Sequence, residues 1–350
     1  MLFSDLPFEI ISIILQCYHK FHLQELRSGK DYYENTLLLA HINQKTRAVA
    51  LSDRSLWSYI CLHWPSKVVN LCLQRARLTG SSEIRVSLDT RDLGTYRRGE
   101  AHDNCAQFLE KELKNIVELE LKIHRHRGSQ CITDVINRTS APRLQGLIIH
   151  LGGGIQHVTN LFNSDAPVLR IARIYSNLQF NLSSITSLRE LLFKVGPRNF
   201  RGLLRMLGEI HSLEMISLIG TPDESAIPDP LDQHVILPSC EFLNIKNMDS
   251  HRVHYILSNI LVPKLRILQI REKMVQLTDG SFVLSLLSTV PVLSLPIEAQ
   301  TNLWLGLHPE RVVVSMAGYH FESKWDELRV DEHISLASII ERAVVAPAFN

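Results

Sequence analysis

Hydrophobic and polar positions alternate along this chain with two different periods. From Phe8 to Leu15, six of eight side chains are apolar, and only Glu9 and Ser12 are not. On a helix this leaves one thin polar stripe, whereas a surface helix of a globular protein needs only one apolar face. Pro7 suits the first turn, where its missing N–H costs nothing, and Glu9 favours the positive end of the helix dipole. Phe21 to Asn35 is polar and reads as a loop. Thr36 is placed to cap a second helix, in which Leu38, Ile42, Lys45 and Val49 form one stripe and Leu39, Thr46 and Ala50 another. Ser52-Asp53 marks a turn and cap before Leu56 and Trp57. A third helix is expected over Lys67 to Arg77, broken by Gly80-Ser81-Ser82. The period then changes to two: Ile84, Val86 and Leu88 alternate with Glu83, Arg85 and Ser87, as in a strand. Arg91 to Asp103 begins no periodic run and reads as a loop.

From Ile116 a short pattern recurs, an apolar residue followed at +3 and +5 by two more. The copies begin at Ile116, Leu144, Leu169, Leu188, Leu213, Cys240 and Leu265, at intervals of 28, 25, 19, 25, 27 and 25 residues. Three copies carry a proline two residues before the first anchor (Pro142, Pro167 and Pro263), where it ends a helix and fits the start of a strand. Helix-like stretches lie between strands, among them Asn199 to Ile210 and Ser250 to Leu261. Thr221 to Pro238, with four prolines, interrupts the array as a long loop. Arg311 to Met316 is expected as a last strand and Asp331 to Val345 as a closing helix.

Two resemblances follow. The repeat interval and anchor spacing resemble a degenerate leucine-rich repeat; of the seven copies, only that ending in Asn177 carries the usual Asn or Cys at the ninth position. An ordinary βα domain with similar strands is the alternative. LPFEIISIIL, followed by LLLAHINQKTRAVALSDRSLWSYI, resembles the F-box family, of a fungal type with an insertion after the first helix. Leu6, Pro7, Glu9, Ile10, Ile14, Leu15, Leu56 and Trp57 match that family's pattern, while Asn43 and Thr46 stand where members often have Cys and Trp. The fold expected is therefore α/β: an all-α F-box over residues 1–65, then a leucine-rich-repeat-like α/β solenoid with a C-terminal cap over 66–345.

Composition narrows the classes of function. A 350-residue chain with 45% hydrophobic and 21% charged residues has the make-up of a globular protein. A net charge of +1 creates no strong field for nucleic acid or membrane, and no apolar run approaches the length of a membrane span. The first residues do not read as a signal peptide. The six cysteines show no C-x-x-C spacing, so free thiols in a reducing compartment, cytoplasm or nucleus, are expected.

Candidate chemistry is sparse. His124-Arg125-His126-Arg127 has no third ligand near in sequence, and Gly152-Gly153-Gly154 lacks the Lys-Ser/Thr of a P-loop. No G-x-S-x-G or H-E-x-x-H occurs, and the acidic residues between Asp223 and Asp232 lie among prolines. No catalytic residue, metal or cofactor is assigned, and the protein is not expected to be an enzyme. The F-box resemblance instead implies docking on a Skp-type adaptor of a cullin–RING (SCF) ubiquitin ligase through Leu6, Pro7, Ile10, Ile14, Leu15, Leu56 and Trp57. The repeats would then present a protein target. In such repeats the residues beside the +5 anchor face outward; Arg173, Tyr175 and Lys194 are the target-binding candidates. An interaction scaffold outside any ligase and an enzyme on an α/β scaffold are the rival readings.

Overall fold

The computed structural model describes residues 6–25, 41–78, 83–93, 98–124, 129–152, 160–176, 178, 180–182, 184–196, 199–221, 233–274, 304–308, 311–316 and 319–325. The chain divides into two compact units, Met1–Leu169 and Arg170–Asn350. Both are mixed α/β and both are built on parallel strands.

The first unit begins with α1 (Phe8–Glu25), α2 (Gln44–Ser52) and a 3-10 turn over Arg54–Trp57. Asn43 caps α2, its side-chain oxygen accepting from the Thr46 amide at 2.7 Å; the cap expected at Thr36 lies outside the described residues. Ile42 lies outside the helix and is exposed, and residues 26–40 fall outside the described residues. Then come β1 (Tyr59–Cys61), α3 (Ser66–Arg77), β2 (Ile84–Asp89), α4 (Arg98–Glu112), β3 (Ile116–Ile123), α5 (Ser129–Arg138) and β4 (Gly146–Leu151). The four strands pair in parallel in chain order.

One sequence expectation is corrected here. The loop expected over 91–103 ends early, because α4 starts at Arg98; its buried apolar residues Cys105, Ala106 and Leu109 all follow Asp103, so the apolar period begins only after the stretch read as a loop. Strand β1, from the segment expected to be all-α, hydrogen-bonds to β2 in register Ile60 with Val86.

The second unit holds β5 (Ile171–Tyr175), β6 (Glu190–Val195), α6 (Phe200–Glu209), β7 (Met215–Gly220), β8 (Val235–Ile236), β9 (Phe242–Met248), α7 (Ser250–Asn259), β10 (Ile260–Leu261) and β11 (Ile267–Met274). A meander follows: β12 (Trp304–His308), β13 (Arg311–Met316) and β14 (Tyr319–Trp325). Strands β5, β6, β7, β9 and β11 run parallel as neighbours, and β14 adds parallel to β11. Strand β13 lies between β12 and β14, antiparallel to both, so the expected strand at 311–316 is present but is not the last. Short β8 pairs with β10 inside the stretch read as a loop. The closing helix expected at 331–345, the acidic stretch 222–232 and Asn177 lie outside the described residues.

Pleating explains which side chains are inside. The repeat anchors stand side by side: Ala172, Leu191, Ile216, Leu243 and Leu268 form one cross-strand row, and Ile174, Phe193, Leu218, Ile245 and Ile270 the next. All ten are buried. In the first unit Leu119 pairs with Leu147 and Leu121 with Ile149, all buried. Helices α6 and α7 contribute Leu203, Leu204, Val253 and Ile256 to the buried side of the second unit. The opposite face of the strands in each unit, one residue out of step along each strand, is half-exposed.

Candidate functional site: the outer face of the N-terminal helix

Helix α1 packs on the fold along the side that carries Ile11 and Leu15. Ile11 and Leu15, one turn apart, are buried, together with Val49 and Ala50 of α2 and Leu56 and Trp57 of the turn. The Trp57 indole N–H donates to the Ala50 carbonyl at 2.7 Å, and the Arg75 guanidinium of α3 lies 4.7 Å over its ring. Lys45 Nζ donates to the Leu6 carbonyl at 2.6 Å, fixing the chain entering α1. The outer side carries Ile10, Ile13 and Ile14, each between 39% and 55% exposed; Phe8 lies on the flank toward α2, with Lys45 Nζ 5.9 Å from its ring centroid.

The seven expected docking residues therefore separate. Pro7, Ile10 and Ile14 are exposed and Leu6 is half-buried. Leu15, Leu56 and Trp57 are corrected to core: at 1–2% exposure they present no surface to a partner and instead set where α1 stands. Ile13 stands exposed beside Ile10 and Ile14 and is not among the seven; the i, i+3 and i+4 spacing of Ile10, Ile13 and Ile14 is the signal that would have added it, since those positions share a helix face.

Asp53 is the polar fastening of this helix. Its carboxylate accepts from Ser12 Oγ at 2.5 Å and Gln16 Nε2 at 2.8 Å, both on α1, and from the Ser55 amide at 3.0 Å and its hydroxyl at 2.7 Å. Burial alone would raise the carboxyl pKa, but the hydrogen bonds from Ser12, Ser55 and Gln16 outweigh it and the net direction is down. A carboxyl depressed in the folded state stabilises above its unfolded pKa, near 3.9, and loses that contribution as pH falls through the folded value. The fastening of α1 should therefore weaken below about pH 4. Asp53→Ala should cost about 1.5–3 kcal/mol, the range for hydrogen bonds to a charged group. Amide hydrogen exchange would show it as faster exchange in α1, with β2 and β3 unchanged.

The half-exposed sheet face of the first unit is polar and largely self-neutralised. Arg85 Nε lies 3.4 Å from Glu118, Lys122 Nζ 2.8 Å from Glu120, and Arg91 2.7 Å from Asp89. His124 Nε2 sits 3.4 Å from Asp89 Oδ1, so the first residue of the His-Arg-His-Arg stretch takes part in this lattice, while 125–128 lie outside the described residues. Burial, and then the neighbouring Lys122 charge, lower the pKa of His150. Among the described residues no group of three or more His, Cys, Asp or Glu is arranged to hold a metal ion, and no disulfide joins the cysteines. Burial pushes the thiols of Cys61, Cys105 and Cys240 up to about 12 and that of Cys72 to about 11, so they remain protonated and are poor nucleophiles.

In the second unit the three expected target-binding residues share one face. Arg173 is exposed, and Tyr175 and Lys194 are half-buried, with Arg173 in register with Leu192. Among the described residues no helix is long and apolar enough to cross a membrane. No protein-family model, curated protein or solved structure matches the chain.

Proposed function

We infer that the chain is an F-box subunit of a cullin–RING ubiquitin ligase, bound to a Skp-type adaptor through α1 and presenting a protein target on a leucine-rich-repeat-like solenoid. One observation carries this reading: α1 is pinned by Ile11 and Leu15 yet exposes three large apolar side chains, Ile10, Ile13 and Ile14, on its other side. An exposed apolar cluster on a helix already held by its opposite side marks an interaction site. The parallel strands, and the near-25-residue interval of their anchors, support the solenoid. In this role the protein performs no covalent chemistry. It raises the concentration of a target beside a ubiquitin-conjugating enzyme, an effect of linkage rather than of catalysis, and it would act in the cytoplasm or nucleus.

The test is charge placed on the outer face. Ile14→Glu would desolvate an unpaired carboxylate at the interface, which costs about 2–5 kcal/mol, or up to several thousandfold in affinity. The adaptor should no longer co-purify, while circular dichroism stays that of the parent, because Ile14 is 39% exposed in the free protein. Retention of the adaptor by Ile10→Glu/Ile14→Glu would remove this assignment. Adaptor binding without cullin recruitment would favour a scaffold outside any ligase.

A further inference from the structure

The sheet face of the second unit has the same register logic as that of the first but the opposite charge bookkeeping. Three rows cross it. The row nearest the strand starts reads Ile171, Glu190, Met215, Phe242 and Ile267; Ile171, Met215 and Ile267 are 37–41% exposed. The middle row holds Arg173, Leu192, Ser217, Asn244 and Gln269. The row at the strand ends holds Lys194, Ile219, Lys246 and Arg271 in register, with Tyr175 beginning it on β5. Just outside the first row, cations are matched by carboxylates: Arg189 with Glu214 at 3.2 Å and Arg266 with Glu241 at 3.3 Å. At the strand ends, Lys194 and Lys246 enter no ion pair among the described residues, and neither does Arg173 of the middle row. Glu190, the carboxylate on these rows, stands at the far end from Lys194, four residues or about 13 Å along the strand. Glu322 of β14 is in register with Arg271 and no other cation of the row.

A second observation points the same way. Asn244, in the middle row, is 5% exposed, and its side-chain oxygen is buried with no hydrogen-bond partner. Unmet buried acceptors are rare in folded proteins.

We propose that this face is the docking site for an amphipathic helix of a partner protein, one flank acidic and the other apolar, lying across the strands. This rests on the reading of the repeats as target-presenting and names the class of target. The acidic flank lies along Lys194 and Lys246, two strands or about 10 Å apart. The apolar flank lies along Ile171, Met215 and Ile267. The spacing of the two outer rows, about 13 Å, accommodates a helix of about 10–12 Å diameter. A partner side chain with an N–H donor meets the Asn244 oxygen. Nucleic acid fits less well, because the basic row faces an apolar one and holds Tyr175 as its one stacking ring.

The experiment uses the full chain and a labelled fifteen-residue helical peptide with Glu along one flank and Leu along the next. The controls are the same peptide with Lys for Glu, and a single-stranded RNA oligonucleotide. Fluorescence anisotropy should show the acidic peptide binding, weakening as salt rises from 50 to 300 mM in keeping with screened charges. Lys194→Glu/Lys246→Glu should lose at least tenfold for the acidic peptide and gain for the Lys peptide, with unchanged circular dichroism. Met215→Glu, from the apolar row, should weaken it independently. No binding of the acidic peptide, equal binding by the charge-reversed protein, or tighter binding of the RNA would each overturn the proposal. Adaptor co-purification is read separately: its loss in Ile14→Glu alone tests α1, and its retention in Lys194→Glu/Lys246→Glu shows that the two sites fail or stand independently.

Discussion

Leu191→Ala should destabilise the second unit by about 2–5 kcal/mol, whereas Leu192→Ala, its neighbour in sequence, should change stability by no more than about 1 kcal/mol. Leu191 is 2% exposed, in register with Ala172 on one side and Ile216 on the other. Truncating it opens a cavity in a row whose backbone is fixed by hydrogen bonds on both edges, so the site cannot collapse, and Leu→Ala at such positions falls in that range. Leu192 occupies the opposite face, half-exposed beside Arg173 and Ser217, and loses only part of a burial term. Urea unfolding of the two variants should give midpoints that differ sharply at equal m values. Leu147, Leu243 and Leu268, also anchors and at most 6% exposed, should behave like Leu191. Equal effects at 191 and 192 would mean the register is wrong by one residue, since a slip of one exchanges the faces.

That contrast shows why the sheet was legible in the sequence. The +3 and +5 anchors of each copy are two positions apart on a strand, hence on one face, and the first of the three ends the turn before it. The pattern therefore carried strand location, register and burial together, and Leu191, Leu243 and Leu268 fall where it put them. What the pattern could not carry was anything set by a partner far along the chain. Strand β1 is three residues long, too short for a period. The docking candidates were half legible: motif matching gave Leu15, Leu56 and Trp57 the same weight as Ile10 and Ile14, although the first three are core. Only a tertiary neighbour, here the Ala50 carbonyl and the Arg75 guanidinium at Trp57, decides which apolar side chains are already satisfied.

Arg252 is the residue the sequence signalled least. It sits on α7 in a stretch that reads as an ordinary amphipathic helix, yet it is 1% exposed. Its Nε lies 3.2 Å from Asp249 Oδ2, its guanidinium lies 5.5 Å over the Phe200 ring of α6, and Nη1 donates to the Thr221 carbonyl at 3.5 Å. The same Asp249 caps α7 by accepting from the Arg252 amide at 3.0 Å. Asp249→Ala removes both contacts and leaves a buried guanidinium without its carboxylate. Breaking a buried pair from one side costs about 3–5 kcal/mol, because the remaining charge stays desolvated, and loss of the cap adds about 1 kcal/mol. Asp249→Ser keeps a capping oxygen and should recover only the smaller part. Arg252→Met in the Asp249→Ser background removes the stranded charge while keeping much of its volume, and should be more stable than Asp249→Ser alone. Thermal or urea unfolding of the parent and the three variants checks the order. If Asp249→Ala and Asp249→Ser were equally stable and both near the parent, the ion pair would contribute little and Arg252 would be held by the Phe200 ring and the Thr221 carbonyl.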